Sequence, residues 1–520
     1  MQNHILWVDD EVDLLKPHIM FLQQKGYDIV TVTNGHDAIT LVQQQRFDLV
    51  FLDENMPGIT GLETLQAIKE IHPSLPVVMV TKSEEENIMD QAIGSKIADY
   101  LIKPMLPSQM LMSIKKCLHA NEITHQQQTT GFQQEFGKIA DSISEANSFE
   151  SWCNIYKKIV HWELEFTGSR DRDLLQILLT QKYEANATFS KFVRRNYETW
   201  ITLLLKQQKQ NRPTLSPDIF GKYIIPQLET EKQVFFVVID NFRLDQWRSI
   251  QTLFSQWFDC HEDLYCSILP TATQYARNAL FSALMPAQIE QQYPNLWLEE
   301  NEENCKNQHE AELLQTLLNR YRINYSFTYN KINEDSYCNH LLAQFGTMCR
   351  TKFNVIVINF LDMLSHAGTD NKVVSELAHD EAAFRALTRT WFEHSNVYKL
   401  FCQIAKNNST VILTTDHGTT RVDNAIKIIG DKTVNNNLRY KMGKNLNWQS
   451  KNVFEISHPK NVGLPTTNLS SSYAFCSGRD FFVYPNNYNH YVQYYKNTFQ
   501  HGGISMEEML IPIITLTPKQ

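Results

Sequence analysis

The sequence predicts an α/β protein in three parts: a doubly wound domain over residues 1–118, a helical connector bundle over 119–225, and a larger α/β domain over 226–520. Three observations carry that prediction. Short apolar runs alternate with helical patterns at both ends of the chain, the signature of βαβ units around a parallel sheet. Between them the alternation stops, and apolar residues recur at three and four, the period of a helix. Finally, 520 residues are too many for one ordinary core.

The first part offers five strands in HILWVDD, YDIVTVT, FDLVFLD, LPVVMVT and ADYLIKP. Helical patterns separate them in VDLLKPHIMFLQQKG, GHDAITLVQQQ, GLETLQAIKEI and ENIMDQAIG. The middle part opens Gln-rich, in THQQQTTGFQQEF, and continues as helix through FESWCNIYKKIVHWELEF and LLQILLTQKYEANATFSKFVRRNYETWITLLLKQQ. Its Trp152, Trp162 and Trp200 fall at helical spacing and read as core. The third part carries VFFVVIDN, FNVIVINFLD and TVILTTDHG, apolar enough to be strands buried on both faces. An Asn- and Lys-rich stretch, IKIIGDKTVNNNLRYKMGKNLNWQSK, interrupts it and reads as an inserted loop or lid.

The composition is that of a soluble chain: 42% apolar, net charge -9. That balance excludes a protein that coats nucleic acid over its whole surface. The nine cysteines are scattered and form no Cys-x-x-Cys pair, which fits a reducing compartment and excludes a cysteine zinc knuckle. Asp9, Asp10 and Glu11 interrupt the first apolar run, and no run approaches the roughly 20 residues of a membrane span. A cytoplasmic protein is expected.

In a doubly wound sheet, chemistry collects at the carboxyl ends of the strands. In residues 1–118 those ends carry Asp9 and Asp10, Asp53, Thr81, and Lys103 followed by Pro104. Three carboxylates converging on one point repel unless a hard cation sits among them, and magnesium is the usual one. An Asp beside it can attack a phosphoryl donor. A hydroxyl (Thr81) and an ammonium (Lys103) would neutralise the new phosphoryl oxygens. At these residues the segment resembles the receiver domain of two-component response regulators. Tyr100, three before the lysine, stands where that family has its switch aromatic. The resemblance implies that a sensor histidine kinase phosphorylates Asp53 and that phosphorylated chains pair as a homodimer through the face near Tyr100.

The same rule applied to the third part gives Asp240, then Asp362 and His366 one helical turn apart, then Asp416 and His417, and His501 in FQHGG. These are twice the ligands one catalytic zinc needs. Split into two trios, they would hold two metals roughly 3.5–4 Å apart, the arrangement that clamps an in-line displacement at phosphorus. The segment SILPTATQYARNALFSALMP offers Thr271 and Thr273 as nucleophiles just before a helix, where backbone N–H groups favour an anionic phosphoryl group.

These motifs resemble the alkaline phosphatase superfamily and most closely its PglZ branch. By that resemblance Asp240, Thr273, Asp416 and His417 hold one zinc, and Asp362, His366 and His501 the other. The family places its nucleophile ten residues before the Gly of a [ST]-G pair, here Ser282-Ala283, which points to Thr273 with Thr271 as the fallback. Ala283 departs from the family's Gly, and it touches no ligand. A receiver followed by a PglZ-type domain resembles the PorX-type response regulators. That implies a PorY-like sensor kinase as partner, and a role in type IX secretion and gliding.

Two features have two readings each. Arg243, in IDNFRLDQW, either touches a substrate phosphate or pairs with Asp245 to hold its loop. The insert, with Lys427, Lys432, Arg439, Lys441, Lys444 and Lys451 around Tyr440 and Trp448, either tracks a nucleotide backbone or is a solvated lid. For the whole chain, the expected function is a phosphorylation-controlled phosphodiesterase acting on nucleotide-type substrates. The alternatives are a non-catalytic signalling scaffold that uses zinc for its fold, and a transcription regulator. No basic recognition helix follows the receiver to support the last.

Overall fold

The structure, a computed structural model, describes residues 3–82, 97–167, 172–230, 232–298, 307–431, 435, 437–466, 468 and 470–519. The expected helix ENIMDQAIG, together with Lys432 and Cys305, lies outside the described residues. The chain forms two compact units, Met1–Gln133 and Gln134–Gln520. The break falls inside one 39-residue helix, Pro107–Glu145, and so well past the expected boundary at residue 118.

In the first unit, strands β1 (His4–Val8), β2 (Asp28–Val32), β3 (Leu49–Asp53), β4 (Val77–Thr81) and β5 (Asp99–Ile102) form one sheet in the order β2-β1-β3-β4-β5. Every pair is parallel. β3 and β4 are buried throughout because helices cover both faces, which is why their sequences are unbroken apolar runs. Helices α1 (Lys16–Gln24), α2 (Gly35–Gln44) and α3 (Gly61–Ile71) supply the cover. Asn34 caps α2 by accepting from the Asp37 N–H. Thr60 and Glu63 form a capping box on α3. The strand order reverses between β1 and β3, and a cleft opens there at the carboxyl ends.

The second unit is built on a six-stranded sheet of β6 (Val234–Ile239), β7 (Phe258–Cys266), β8 (Phe327–Ile332), β9 (Phe353–Ile358), β10 (Thr410–Thr414) and β11 (Leu510–Pro518), in the order β7-β11-β10-β6-β9-β8. The three apolar runs singled out in the sequence are β6, β9 and β10, adjacent and parallel at its centre. β11 runs antiparallel to both β10 and β7. Because β6 lies between β9 and β10, the residues after all three emerge side by side.

The middle helices belong to this unit. Following α4 (Pro107–Glu145), α5 (Phe149–Glu165) opens on the Ser148 cap, and α6 (Arg172–Leu205) packs beside it. Trp152 is fully buried against Phe189 at 5.4 Å, and Trp200 lies 5.4 Å from Phe192. Trp162 is half-buried and stacks on Phe166. Polar anchors join the same helices to the sheet domain. Lys182 on α6 sits 3.1 Å from Glu163 on α5 and 2.8 Å from Glu507 near the C-terminus.

The insert corrects the expectation of a loop or lid. Asn424–Ile429 pairs in parallel with Asp480–Val483, and Tyr440–Gly443 pairs with Ser472–Phe475. Arg439 is fully buried, its Nη2 2.6 Å from Glu508. Lys441 is buried too, donating to the Asn435 carbonyl and lying over the Tyr484 ring. Tyr440 has 1% of its surface exposed. Arg439, Lys441 and Tyr440, committed to the interior, do not track a nucleotide backbone, whereas Lys427 and Lys451 stay exposed and Lys444 and Trp448 half-buried.

Candidate functional site

At the cleft of the first unit, Asp9 and Asp53 are buried and Asp10 is exposed, with carboxylate oxygens of the three within 4.8 Å of one another. Lys103 reaches across from the end of β5, its Nζ 2.7 Å from Asp9 and 3.1 Å from Asp53. Burial pushes the Asp53 carboxyl up to about 6; Lys103 pulls it down, and Asp9 and Asp10 push it further up. The sequence reading missed Glu54, the residue after Asp53, which is buried and pushed up to about 7 by burial and by the Asp53 charge. Three clustered carboxylates with a single ammonium beside two of them fit a divalent cation of the magnesium type. Thr81 is fully buried and Tyr100 half-buried, and their side chains share a hydrogen bond. A side chain at Gly61 would collide with the backbone carbonyl of Asp53, so only glycine lets α3 start this close to the site.

In the second unit all six expected ligands meet as two trios: Asp240, Asp416 and His417, fully buried, and Asp362, His366 and His501, on the solvent side. Asp240 follows β6, its N–H donating to the Ile358 carbonyl at 2.8 Å. Asp416 and His417 follow β10 in a turn held from several sides. Thr415 Oγ1 donates to the His417 carbonyl and accepts from the Phe242 N–H, and Ser267 donates to the Asp416 carbonyl. At Gly418, a Cβ would strike the Glu507 carbonyl. Asp362 and His366 lie one turn apart on α8 (Phe360–Asp370; the intervening α7 is Thr273–Ser282), 3.5 Å between Oδ1 and Nε2. His501 stands 3.7 Å from the same Asp362 oxygen, and its ring stacks on His417 at 4.3 Å between centroids. The stacked rings make the two trios one site.

The histidines are oriented for metal. His417 Nδ1 faces the Gly418 carbonyl at 3.1 Å, and His501 Nδ1 faces the Thr271 carbonyl at 3.2 Å. A carbonyl only accepts, so each Nδ1 carries the proton and each Nε2 presents its lone pair to the carboxylates. Asp240 Oδ1 is buried with no hydrogen-bond partner, a costly arrangement for a carboxylate unless a cation serves it. Burial and the neighbouring Asp416 and Asp362 push the Asp240 carboxyl well above the ordinary range, against the pull of Arg277. Asp416 is held below it, since Arg277 and His417 outweigh its burial. A donor set of carboxylate and imidazole fits a divalent transition metal such as zinc.

Thr273 is the first residue of α7, half-buried, with Oγ1 3.1 Å from His417 Nε2. Thr271 is fully buried and committed to backbone: its hydroxyl donates to the Gly503 carbonyl and accepts from the Gly502 N–H. Arg277, one turn after Thr273 and absent from the sequence reading, pairs with Asp240 and Asp416 and is backed by Glu310 at 3.4 Å. Its position i+4 from the threonine was the available signal. Arg243 corrects the expectation of a substrate contact. Its guanidinium is fully buried, forks onto Asp245 at 2.7 and 3.0 Å, meets Glu381, and lies beside the stacked Phe384 and Phe499 rings. It holds the loop.

Comparison with known proteins finds three matching segments. Residues 5–115 match the response regulator receiver domain, 122–201 the PorX response regulator linker domain, and 219–516 the BREX system PglZ alkaline phosphatase-like domain. The relatives match at the receiver. The transcriptional regulatory protein ZraR of Klebsiella oxytoca is 31% identical over 27% of this chain and 32% of its own length. The alginate biosynthesis transcriptional regulatory protein AlgB of Pseudomonas syringae is 35% identical over 24% of this chain and 28% of its own. The chain thus spans about a third of these curated relatives. Among solved structures, the chemotaxis protein CheY4 of Vibrio cholerae is 27% identical, covering 23% of this chain and 100% of its own, with a TM-score of 0.22. Together the matched segments define a response regulator whose receiver is fused to an alkaline phosphatase-like domain. The PglZ match covers more than half of the chain, and the chain belongs to that family; with its receiver and linker, the architecture is that of the PorX-type response regulators.

Proposed function

We propose that this protein is a phosphorylation-controlled phosphodiesterase. Its second unit takes two zinc ions, one at Asp240, Thr273, Asp416 and His417 and one at Asp362, His366 and His501. The observation that carries the reading is the meeting of both trios beside a hydroxyl at a helix N-terminus. Zinc, when bound, supplies the positive charge that favours the alkoxide form of a coordinated hydroxyl and neutralises phosphoryl oxygens. Thr273 Oγ1 attacks phosphorus as the bond to the leaving alkoxide breaks, and water then cleaves the phosphothreonine ester and regenerates the hydroxyl. Arg277 keeps the Asp240 and Asp416 carboxylates aligned throughout. Nucleotide-type diesters are the substrate class that the family resemblance favours.

Control begins at Asp53, with magnesium held by Asp9, Asp10 and Asp53 and a PorY-like sensor histidine kinase as donor. Exposed Leu106 and Met112, beside the strand that bears Tyr100, support pairing of phosphorylated chains through that face. An output in type IX secretion and gliding, in the cytoplasm, follows from the resemblance to PorX-type regulators, whose linker domain residues 122–201 match. Among the described residues no helix is long and apolar enough to cross a membrane.

The test is metal analysis of protein purified without chelator, with hydrolysis of bis-p-nitrophenyl phosphate. Two zinc per chain and zinc-dependent turnover are expected. Protein that binds zinc yet hydrolyses nothing would leave the scaffold reading in its place. Asp53→Ala is expected to fold normally and to lose labelling by acetyl phosphate; a labelled variant sinks the receiver assignment.

A further inference from the structure

Away from the metal ligands, the second unit contains a cleft of about 690 Å³ where the loop after α6 faces the end of α7. That volume lies in the range that encloses small organic ligands. Leu284 and Met285 are buried behind its floor, and Tyr321 stands exposed on one wall. Its rim is cationic. Lys209, Lys222 and Arg320 are exposed, and none of them forms an ion pair among the described residues. The one acid of the lining, Asp218, is already taken by Arg212 through two hydrogen bonds of 2.5 and 2.9 Å.

The loop that carries Lys209 is fixed. Arg212 Nε donates to the Gln208 carbonyl at 2.7 Å and Nη1 to the Pro213 carbonyl at 3.0 Å. Gln207 and Asn211 adopt φ of 58° and 61°, a conformation that non-glycine residues hold only where surrounding contacts impose it. Lys222 is placed by its bond to Thr214 Oγ1 at 3.0 Å, and Arg320 by its bond to the Ser282 carbonyl at the end of α7. Two of the three cations are therefore placed by hydrogen bonds and the third rides on a braced loop, with the local acid already neutralised.

We infer that this cleft binds a nucleotide-class ligand: two or more phosphate charges against Lys209, Lys222 and Arg320, and a flat base against the exposed ring of Tyr321. A simple anion would leave the exposed Tyr321 ring unused, and a neutral ring would leave the three cations unanswered. The site is separate from the dimetal cluster and lies at the opposite end of the helix that begins with Thr273.

The test is photo-crosslinking of the full-length protein with 8-azido-ADP, followed by peptide mapping. Saturable labelling is expected in peptides from residues 204–222 or 283–321, competed by ADP and far less by adenosine. Both lysines are exposed, so Lys209→Glu with Lys222→Glu is expected to keep the wild-type unfolding midpoint while weakening the labelling at least about tenfold. Labelling confined to peptides bearing the metal ligands, unchanged in the double variant, or competed equally by adenosine would overturn the site, as would the absence of saturable labelling.

Discussion

Thr271 and Thr273 differ by two positions and have opposite surroundings. Thr271→Val leaves a buried N–H and a buried carbonyl without partners, costing about 1–3 kcal/mol of stability, with a modest expected effect on the rate of the proposed hydrolysis in folded protein. Thr273→Val keeps shape and removes the oxygen beside His417. It is expected to cost on the order of 4 kcal/mol or more in transition-state stabilisation with zinc retained at the His501 trio. Single-turnover rates and zinc content measured on both variants decide it; equal loss from both would remove the covalent mechanism. Ala283 makes a third test. It caps α7 at φ 51° and ψ 37°, where a Cβ costs about 1–2 kcal/mol. Ala283→Gly, after the entropy glycine regains in the unfolded chain, is expected to gain about 0.5–1 kcal/mol, read as a higher urea midpoint. Residues defined by a strand end or a fixed spacing, such as Asp240 or His366, are legible in the sequence. Arg277 and Glu54 are not, because their roles come from neighbours distant in sequence or from burial.

At the scale of elements, legibility follows burial. β6, β9 and β10 are covered on both faces and read as unbroken apolar runs. β7 carries charged, partly exposed FDCHEDLYC, and β11 contains two prolines, so neither announces itself. The joint between α5, α6 and the C-terminal turn is equally silent, because its polar residues look like surface in sequence. Lys182, Glu163 and Glu507 are nonetheless all buried. Burial alone would raise the Glu507 carboxyl, but Lys182 overrides it and the net shift is downward. A depressed folded value means stabilisation that is present above about pH 4.3, the ordinary Glu value, and is lost as pH falls through the folded value. Lys182 cannot serve both partners equally: burial keeps Glu163 above the ordinary range. Lys182→Met strands two buried carboxyl groups and is expected to cost about 3–5 kcal/mol at pH 7, with part of the deficit recovered on acidification. Urea unfolding at pH 7 and pH 4 measures both. A variant as stable as wild type at pH 7 would show the joint to be idle.

At the scale of the molecule, the limit of the PglZ match at residue 219 differs from the limit of the compact unit at Gln134. The difference is physical. The Leu269 N–H, two residues before Thr271, donates to Tyr197 on α6 at 2.7 Å. Asn186 accepts from the Met506 N–H and donates to Glu507, whose carbonyl abuts Gly418 beside Asp416 and His417. Arg194 donates to the carbonyl of Lys451 and to Ser477 in the insert. Without these helices the segments bearing Thr273, His417 and His501 lose partners for buried backbone groups, at about 1–3 kcal/mol each. A chain of residues 134–520 is therefore expected to fold cooperatively and bind zinc as the full protein does. A chain of 219–520, which holds every proposed ligand, is expected to be poorly folded and to bind less zinc. Urea unfolding and zinc content of the two truncations decide the matter. If 219–520 matched 134–520 in midpoint and metal, the middle helices would be a spacer; the expected failure would make them part of the machinery that holds the site, and the route by which a signal could reach it.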